Sequence, residues 1–166
     1  MRFHLEQPLP ARVDEVIDVL VDAGFLASLS DLPKLGRPEV LEQRSDGDLV
    51  HQRVRYRFSG DLSPAVTAVV DPAKLIWVDE TTYDLEAGSA TFRIVPEHYG
   101  DRLQAGGTYL FSATGPDTCL RVADGALTVR FPLVGRKVER AIVSGLEEHL
   151  DQEAVLVRRW LEGGDR

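Results

Sequence analysis

The sequence predicts an α+β domain in which an antiparallel meander packs against one long C-terminal helix. Three observations lead there. From residue 36 to about 131 apolar and polar side chains alternate with a period of two, and turn pairs punctuate the run at Asp46-Gly47, Ser59-Gly60, Ala87-Gly88, Gly100-Asp101 and Gly115-Pro116. From Val134 to Glu162 the period becomes that of a helix. The length is 166 residues, and a second core of ordinary size would need roughly 100 residues more. One domain over residues 1–162 is expected, with 163–166, which open on Gly163-Gly164, as a flexible tail.

In chain order, residues 2 to 7 alternate, with Phe3 and Leu5 opposed to Arg2, His4 and Glu6, and predict a short half-buried strand ended by Pro8. Pro10 suits a helix start, and Val13, Val16, Ile17, Leu20 and Val21 recur on one helical face until Gly24. A second short helix is expected over Phe25 to Leu32, before Pro33. The plainest strand is 49 to 59: Val50, Gln52, Val54, Tyr56 and Phe58 share the dry face, and His51, Arg53, Arg55 and Arg57 the wet one. Further strands are expected at 38–45, 74–84, 89–98, 103–114 and 118–131. Residues 62 to 73 suit either a helical turn or a loop. At ~1.5 Å per residue a helix over 134–162 would run about 43 Å, long enough to cross a small domain. Its apolar side carries Val138, Ile142, Gly145, Leu146, His149, Glu153, Leu156 and Trp160. That stripe needs an apolar surface, and the dry face of the meander is the large one on offer.

Composition excludes several classes. With 43% hydrophobic and 28% charged residues, the chain has the makings of a core and of a solvated surface. Nineteen Lys and Arg against 27 Asp and Glu leave a net charge of −8, which repels long phosphate backbones, so nucleic acid is not expected as a partner. Cys119 is the one cysteine, so neither an internal disulfide nor a thiolate zinc cluster is expected. Without asparagine there is no N-glycosylation site. The opening Met1-Arg2-Phe3-His4-Leu5-Glu6-Gln7-Pro8 is not a secretory signal, and no segment approaches 18 uninterrupted apolar residues. A reducing cytoplasm is the expected location, with no integral membrane segment.

The order β, two short α, six β, one long α resembles the helix-grip fold of the START-like (SRPBCC) superfamily, which includes birch-pollen-allergen-like proteins, lipid-transfer domains and polyketide cyclases. The likeness covers nearly the whole chain. A closer resemblance is to an uncharacterised bacterial branch, through Leu75-Ile76-Trp77-Val78-Asp79-Glu80 and the run from Leu127 to Glu139, Leu-Thr-Val-Arg-Phe-Pro-Leu-Val-Gly-Arg-Lys-Val-Glu. The resemblance implies a curved seven-stranded sheet around the long helix, with a cavity between them that in many members holds a lipid, sterol or aromatic product. These runs are fold signatures, and superfamily members share a pocket rather than a reaction.

The most informative local feature is His149 with Glu153, four residues apart and near the middle of the apolar stripe. In one reading they bond each other or a strand residue such as Tyr56 or Tyr109 and serve packing. In the other they face a cavity and hold the polar end of a ligand. An empty apolar hollow of ~300 Å³ would cost roughly 7 kcal/mol at ~24 cal/mol per Å³, so a cavity of that size is filled or wet. The expected ligand-binding set is Tyr56, Phe58, Trp77, Phe92, Tyr109, Phe111, Ile142, Leu146, His149 and Glu153. Arg53, Arg55 and Arg57 read best as a solvated outer stripe paired with acids of neighbouring strands.

The sequence carries no nucleophile elbow, phosphate loop or His-rich metal spacing, so no catalytic residue, cofactor or metal is assigned. Glu97-His98 with Glu153 is the one unorthodox metal set to check, and Cys119 reads as an inert thiol. The leading expectation is a protein that binds or carries a small hydrophobic molecule, lipid-like or aromatic, between sheet and helix. The alternatives are a cyclase- or hydrolase-type enzyme using His149 and Glu153, or an interaction module with a filled pocket that forms a homodimer through a sheet edge or helix.

Overall fold

The computed structural model describes residues 1–29, 32 and 34–163. Seven antiparallel strands form one curved sheet in the order β1-β7-β6-β5-β4-β3-β2. The strands are β1 (Arg2–Leu9), β2 (Glu39–Asp46), β3 (Leu49–Arg57), β4 (Ile76–Asp84), β5 (Ser89–Pro96), β6 (Leu103–Gly115) and β7 (Thr118–Val129). The helices are α1 (Val13–Leu20), α2 (Ala23–Ser28), α3 (Pro64–Thr67) and α4 (Gly135–Leu161). The α4 helix lies across β1 and β7 and against α1, so the sheet wraps it from one side.

Each expected element is present, and the departures have local causes. Pro8 does not end β1, which continues to Leu9 with Pro8 opposite Leu120. An edge strand pairs on one side only, so the missing N–H of Pro8 is no loss if it faces outward. The first helix begins at Val13 rather than at Pro10, where the Glu15 carboxylate accepts the Arg12 backbone N–H at 3.1 Å. Gly24 does not stop a helix. It lies in the first turn of α2, capped by Asp22 accepting from the Phe25 N–H at 2.9 Å, and a Cβ there would come within 3.2 Å of the Trp160 ring. The expected run of this helix to Leu32 falls partly on residues outside those described, as do 164–166 of the tail. The segment 62–73 holds α3 and a 3-10 turn at Pro72–Lys74, capped by the Asp71 carboxylate.

The backbones of β6 and β7 meet closely at a pair of glycines. Gly107 faces Gly125 there, and a Cβ on Gly107 would lie 2.1 Å from the Asp124 carbonyl oxygen, so the two backbones approach to a distance no side chain allows. Phe3 of β1 lays its ring over Gly125. On the convex face Arg53 reaches Glu80 at 3.2 Å, and Arg55 reaches Glu39 at 2.8 Å and Glu97 at 2.5 Å, as the basic stripe predicted. Since Glu97 is engaged outside the grip, it cannot join Glu153 in a metal set.

The main core gathers Val16, Ile17, Leu20, Phe25 and Leu29 from the helical segment, the concave face of the sheet, and Leu150 and Val157 of α4. A satellite core of Val66, Val70, Leu127, Val129 and Phe131 seals the end where α4 begins. The buried side of α4 runs Gly135, Glu139, Leu150, Glu153, Val157, and Ile142 stands 37% exposed. Part of the expected stripe is therefore turned toward solvent, because the helix axis follows the rim strands β1 and β7 rather than the middle of the sheet. Glu139 is buried there by a specific bond, accepting the Val129 N–H at 2.9 Å.

Candidate functional site

Alternation along the strands sets which side chains enter the grip. The concave face carries Gln52 and Tyr56 of β3, Trp77, Asp79, Thr81 and Tyr83 of β4, Phe92 of β5, Tyr109 and Phe111 of β6, Arg121 of β7 and Gln7 of β1. Cross-strand register aligns Tyr56 with Trp77, Gln52 with Thr81, Thr81 with Phe92, Phe111 with Arg121, and Arg121 with Gln7. Two ring pairs stack, Tyr56 on Trp77 at 5.9 Å and Phe92 on Tyr109 at 4.7 Å between centroids. From the helix come His149 and Glu153, with Leu146 and Leu150 beside them.

At the centre of this wall sits a buried ion pair. The Arg121 side chain is 3% exposed, and its Nη2 lies 2.5 Å from Glu153 Oε2. Its Nε donates to Gln7 Oε1 at 2.7 Å, and its guanidinium stands 5.3 Å above the Tyr109 ring. Because the Gln7 oxygen takes the Arg121 protons, its amide nitrogen is turned away, and that nitrogen has no protein partner. Burial works against the Arg121 cation, yet Glu153, Tyr109 and Tyr83 together hold its pKa above the usual value.

His149 and Glu153 do face inward, but they do not form the mutual bond considered above. His149 Nε2 is 4.0 Å from Glu153 Oε1, beyond hydrogen-bond length, because Glu153 turns its other oxygen to Arg121. The imidazole stands edge-on to Tyr56, with ring centroids 6.4 Å apart. Burial pushes the His149 pKa down, so the ring is neutral at pH 7, and its Nδ1 is buried without a protein partner. Asp79 accepts from the Thr81 hydroxyl at 2.7 Å, and burial, with the Glu153 charge adding, raises its carboxyl to about 6. The phenols of Tyr56, Tyr83 and Tyr109 are all pushed up, chiefly by burial. Below about pH 6 Asp79 holds its proton and Arg121 balances Glu153, whereas at pH 7 Asp79 is largely ionised and Arg121 faces two interior carboxylates.

Of the ten expected site residues, Tyr56, Trp77, Phe92, Tyr109, Phe111, Leu146, His149 and Glu153 lie on the two inward surfaces. Two do not. Phe58 lies beyond the end of β3, bridged to Leu35 and set against Gly60, and Ile142 is exposed. Two shallow hollows of about 310 and 320 Å³ lie elsewhere, one on the outer side of α4 along Ser144, Glu148 and Asp151, the other by Pro8, Thr118 and Arg158. Between sheet and α4, Tyr83, Phe92, Tyr109, Phe111, Arg121 and Leu150 are buried, whereas Tyr56, Trp77, Asp79, Leu146 and His149 are half-buried. Arg121, Asp79 and Gln7 were not singled out by sequence reasoning. Their signal was a polar residue at an inward position of an alternating strand, as Arg121 between Cys119 and Ala123.

A family model described as "Protein of unknown function (DUF2505)" matches residues 4–161. The chain belongs to this family. Among curated proteins none matches. Solved structures of similar fold include the Zhui aromatase/cyclase from Streptomyces sp. R1128, 15% identical with a TM-score of 0.68 over 99% of both chains. Truncated norcoclaurine synthase from Thalictrum flavum is 18% identical with a TM-score of 0.65, over 98% of this chain and 94% of that one. A START superfamily protein from Mycobacterium smegmatis is 14% identical with a TM-score of 0.57 over 95% of each. The DUF2505 chain thus has the START-like helix-grip fold. Among its described residues no helix is long and apolar enough to cross a membrane, and no cluster of His, Cys, Asp and Glu is arranged to hold a metal.

Proposed function

We infer that this protein binds a small molecule with an aromatic or otherwise apolar body and one hydrogen-bonding head, between the concave face and α4. The observation that carries the reading is a set of buried nitrogens without protein partners, Gln7 Nε2, Gln52 Nε2 and His149 Nδ1, on a surface rich in rings. A buried polar group without a partner costs about 1–3 kcal/mol, and a guest that supplies the partner recovers it. An ion pair such as Arg121–Glu153 adds little stability over an apolar filling, which favours a role in recognition.

The test uses two probes of one shape, naphthalene and 2-naphthol, followed by Trp77 emission in a Trp160→Phe variant. The expected result is 2-naphthol binding about tenfold tighter or more, with the preference lost in Gln52→Leu. Equal affinities, or no binding of either probe, refute the reading. A second reading, an enzyme moving a proton, is favoured by two ionisable groups in one interior, Asp79 with its carboxyl raised to about 6 and His149 with its pKa lowered by burial. Residues 1–162 are taken as one folding unit, at work in a reducing cytoplasm that suits the lone buried thiol of Cys119. The homodimer reading gains little from the free edge of β2, where Glu42, Arg44 and Asp46 are exposed and charges discourage strand addition.

A further inference from the structure

The run that joins β7 to α4 is built in a way that folding alone does not ask for. Leu133 is 106% exposed, more than in an extended chain, and its φ of 66° is in the left-handed region that a leucine rarely adopts. The turn is held, not loose: Val134 N–H closes onto the Pro132 carbonyl at 2.8 Å, and Gly135 N–H onto Phe131 at 3.0 Å. Phe131 and Val134 anchor its two sides in the satellite core, so the backbone aims Leu133 outward. Around it, residues 130 to 140 carry Arg130, Arg136, Lys137 and Arg140, all exposed. None of these four is in an ion pair among the described residues. The one acid of the stretch, Glu139, is turned inward onto the Val129 N–H. In a chain of net charge −8, residues 130–140 carry four exposed cations and no exposed acid. Arg136 and Lys137 also stand in the first turn of α4, where the helix dipole opposes cations, so the charges are not there to stabilise the helix. Val69, beside the Val66 and Val70 that pack into the same satellite core, adds a second exposed aliphatic side chain at 44%.

We propose that this end of the molecule docks on an anionic bilayer surface, with Leu133 inserted at the level of the headgroups and Arg130, Arg136, Lys137 and Arg140 set against the lipid phosphates and carboxylates. Charge complementarity selects an anionic partner, and the exposed leucine selects a bilayer over nucleic acid, whose phosphate backbone offers it no apolar environment. The attachment is peripheral and weak, since four cations and one leucine fall short of a permanent anchor.

The experiment is co-sedimentation of the full chain with vesicles of phosphatidylcholine alone and of phosphatidylcholine with 30% phosphatidylserine, at low and high salt. The expected result is binding to the anionic vesicles only, weakened by salt. Arg136→Ser with Lys137→Ser should weaken it about 30-fold. Leu133→Gly is the decisive variant, because glycine relieves the left-handed backbone and should raise the melting temperature while lowering vesicle affinity about tenfold. Loss of binding in a variant that is more stable cannot be misfolding. Failure to sediment with anionic vesicles at low salt, equal binding to both vesicle types, or unchanged binding by Leu133→Gly would overturn the proposal, as would tighter binding to duplex DNA than to the vesicles.

Discussion

Asp79 offers the sharpest test of how the interior is charged. Its carboxyl is raised to about 6 from an ordinary 3.8 because burial penalises the anion, with Glu153 and Glu80 adding repulsion against the helpful Thr81 hydroxyl. The native state therefore holds a proton that the unfolded chain releases earlier, and this contribution to stability is complete below pH 3.8 and is lost as pH rises through 6. A shift of about two pH units corresponds to about 3 kcal/mol when fully developed. Asp79→Asn keeps the shape and the acceptor for Thr81 while removing the ionisation. Urea denaturation should find the variant more stable than the parent by about 1 kcal/mol at pH 4.5 and about 3 kcal/mol at pH 7.5. At neutral pH the melting temperature should rise by about 6–12 °C. His149 acts with the opposite sign, since its depressed pKa makes the fold lose stability as pH falls, but both proteins contain it and the difference between them isolates Asp79. A gain that is the same at both pH values, or a variant less stable at pH 7.5, would refute the account of a buried and reluctantly ionised carboxyl.

Three further outcomes follow from the geometry. Glu153→Leu strands the Arg121 cation and should cost about 3–5 kcal/mol in chemical denaturation, whereas Glu153→Leu combined with Arg121→Met should recover most of that loss. Gly107→Ala drives a Cβ into the Asp124 carbonyl and should cost at least about 3 kcal/mol or push β6 and β7 apart, seen as a lost cooperative melt. Ile142→Ser, at a position the helical stripe placed inside and the structure leaves 37% exposed, should cost about 1–2 kcal/mol, and a loss of about 4 kcal/mol or more would mean that α4 is rotated from the orientation described.

Periodicity in the chain was enough to define the strands, the long helix and, for residues 2 to 7 and 49 to 59, the face that is buried, because alternation and helical repeat are local properties written in neighbouring residues. It also placed Tyr56, Trp77, Phe92, Tyr109, Phe111 and His149 among the inward candidates. It could not show that Glu153 prefers Arg121 to His149, since that choice depends on β7 and α4 meeting across 32 residues of chain, with Gln7 arriving from 114 residues away. Nor could it set the rotation of α4, which left Ile142 in solvent and Glu139 inside, because a helix turns to fit the rim of the sheet that receives it. The elements were determined by the order of residues along the chain. Which charges face one another, and whether rings or a void occupy the space between sheet and helix, was decided only when the curved sheet closed and fixed how much room the side chains had to share.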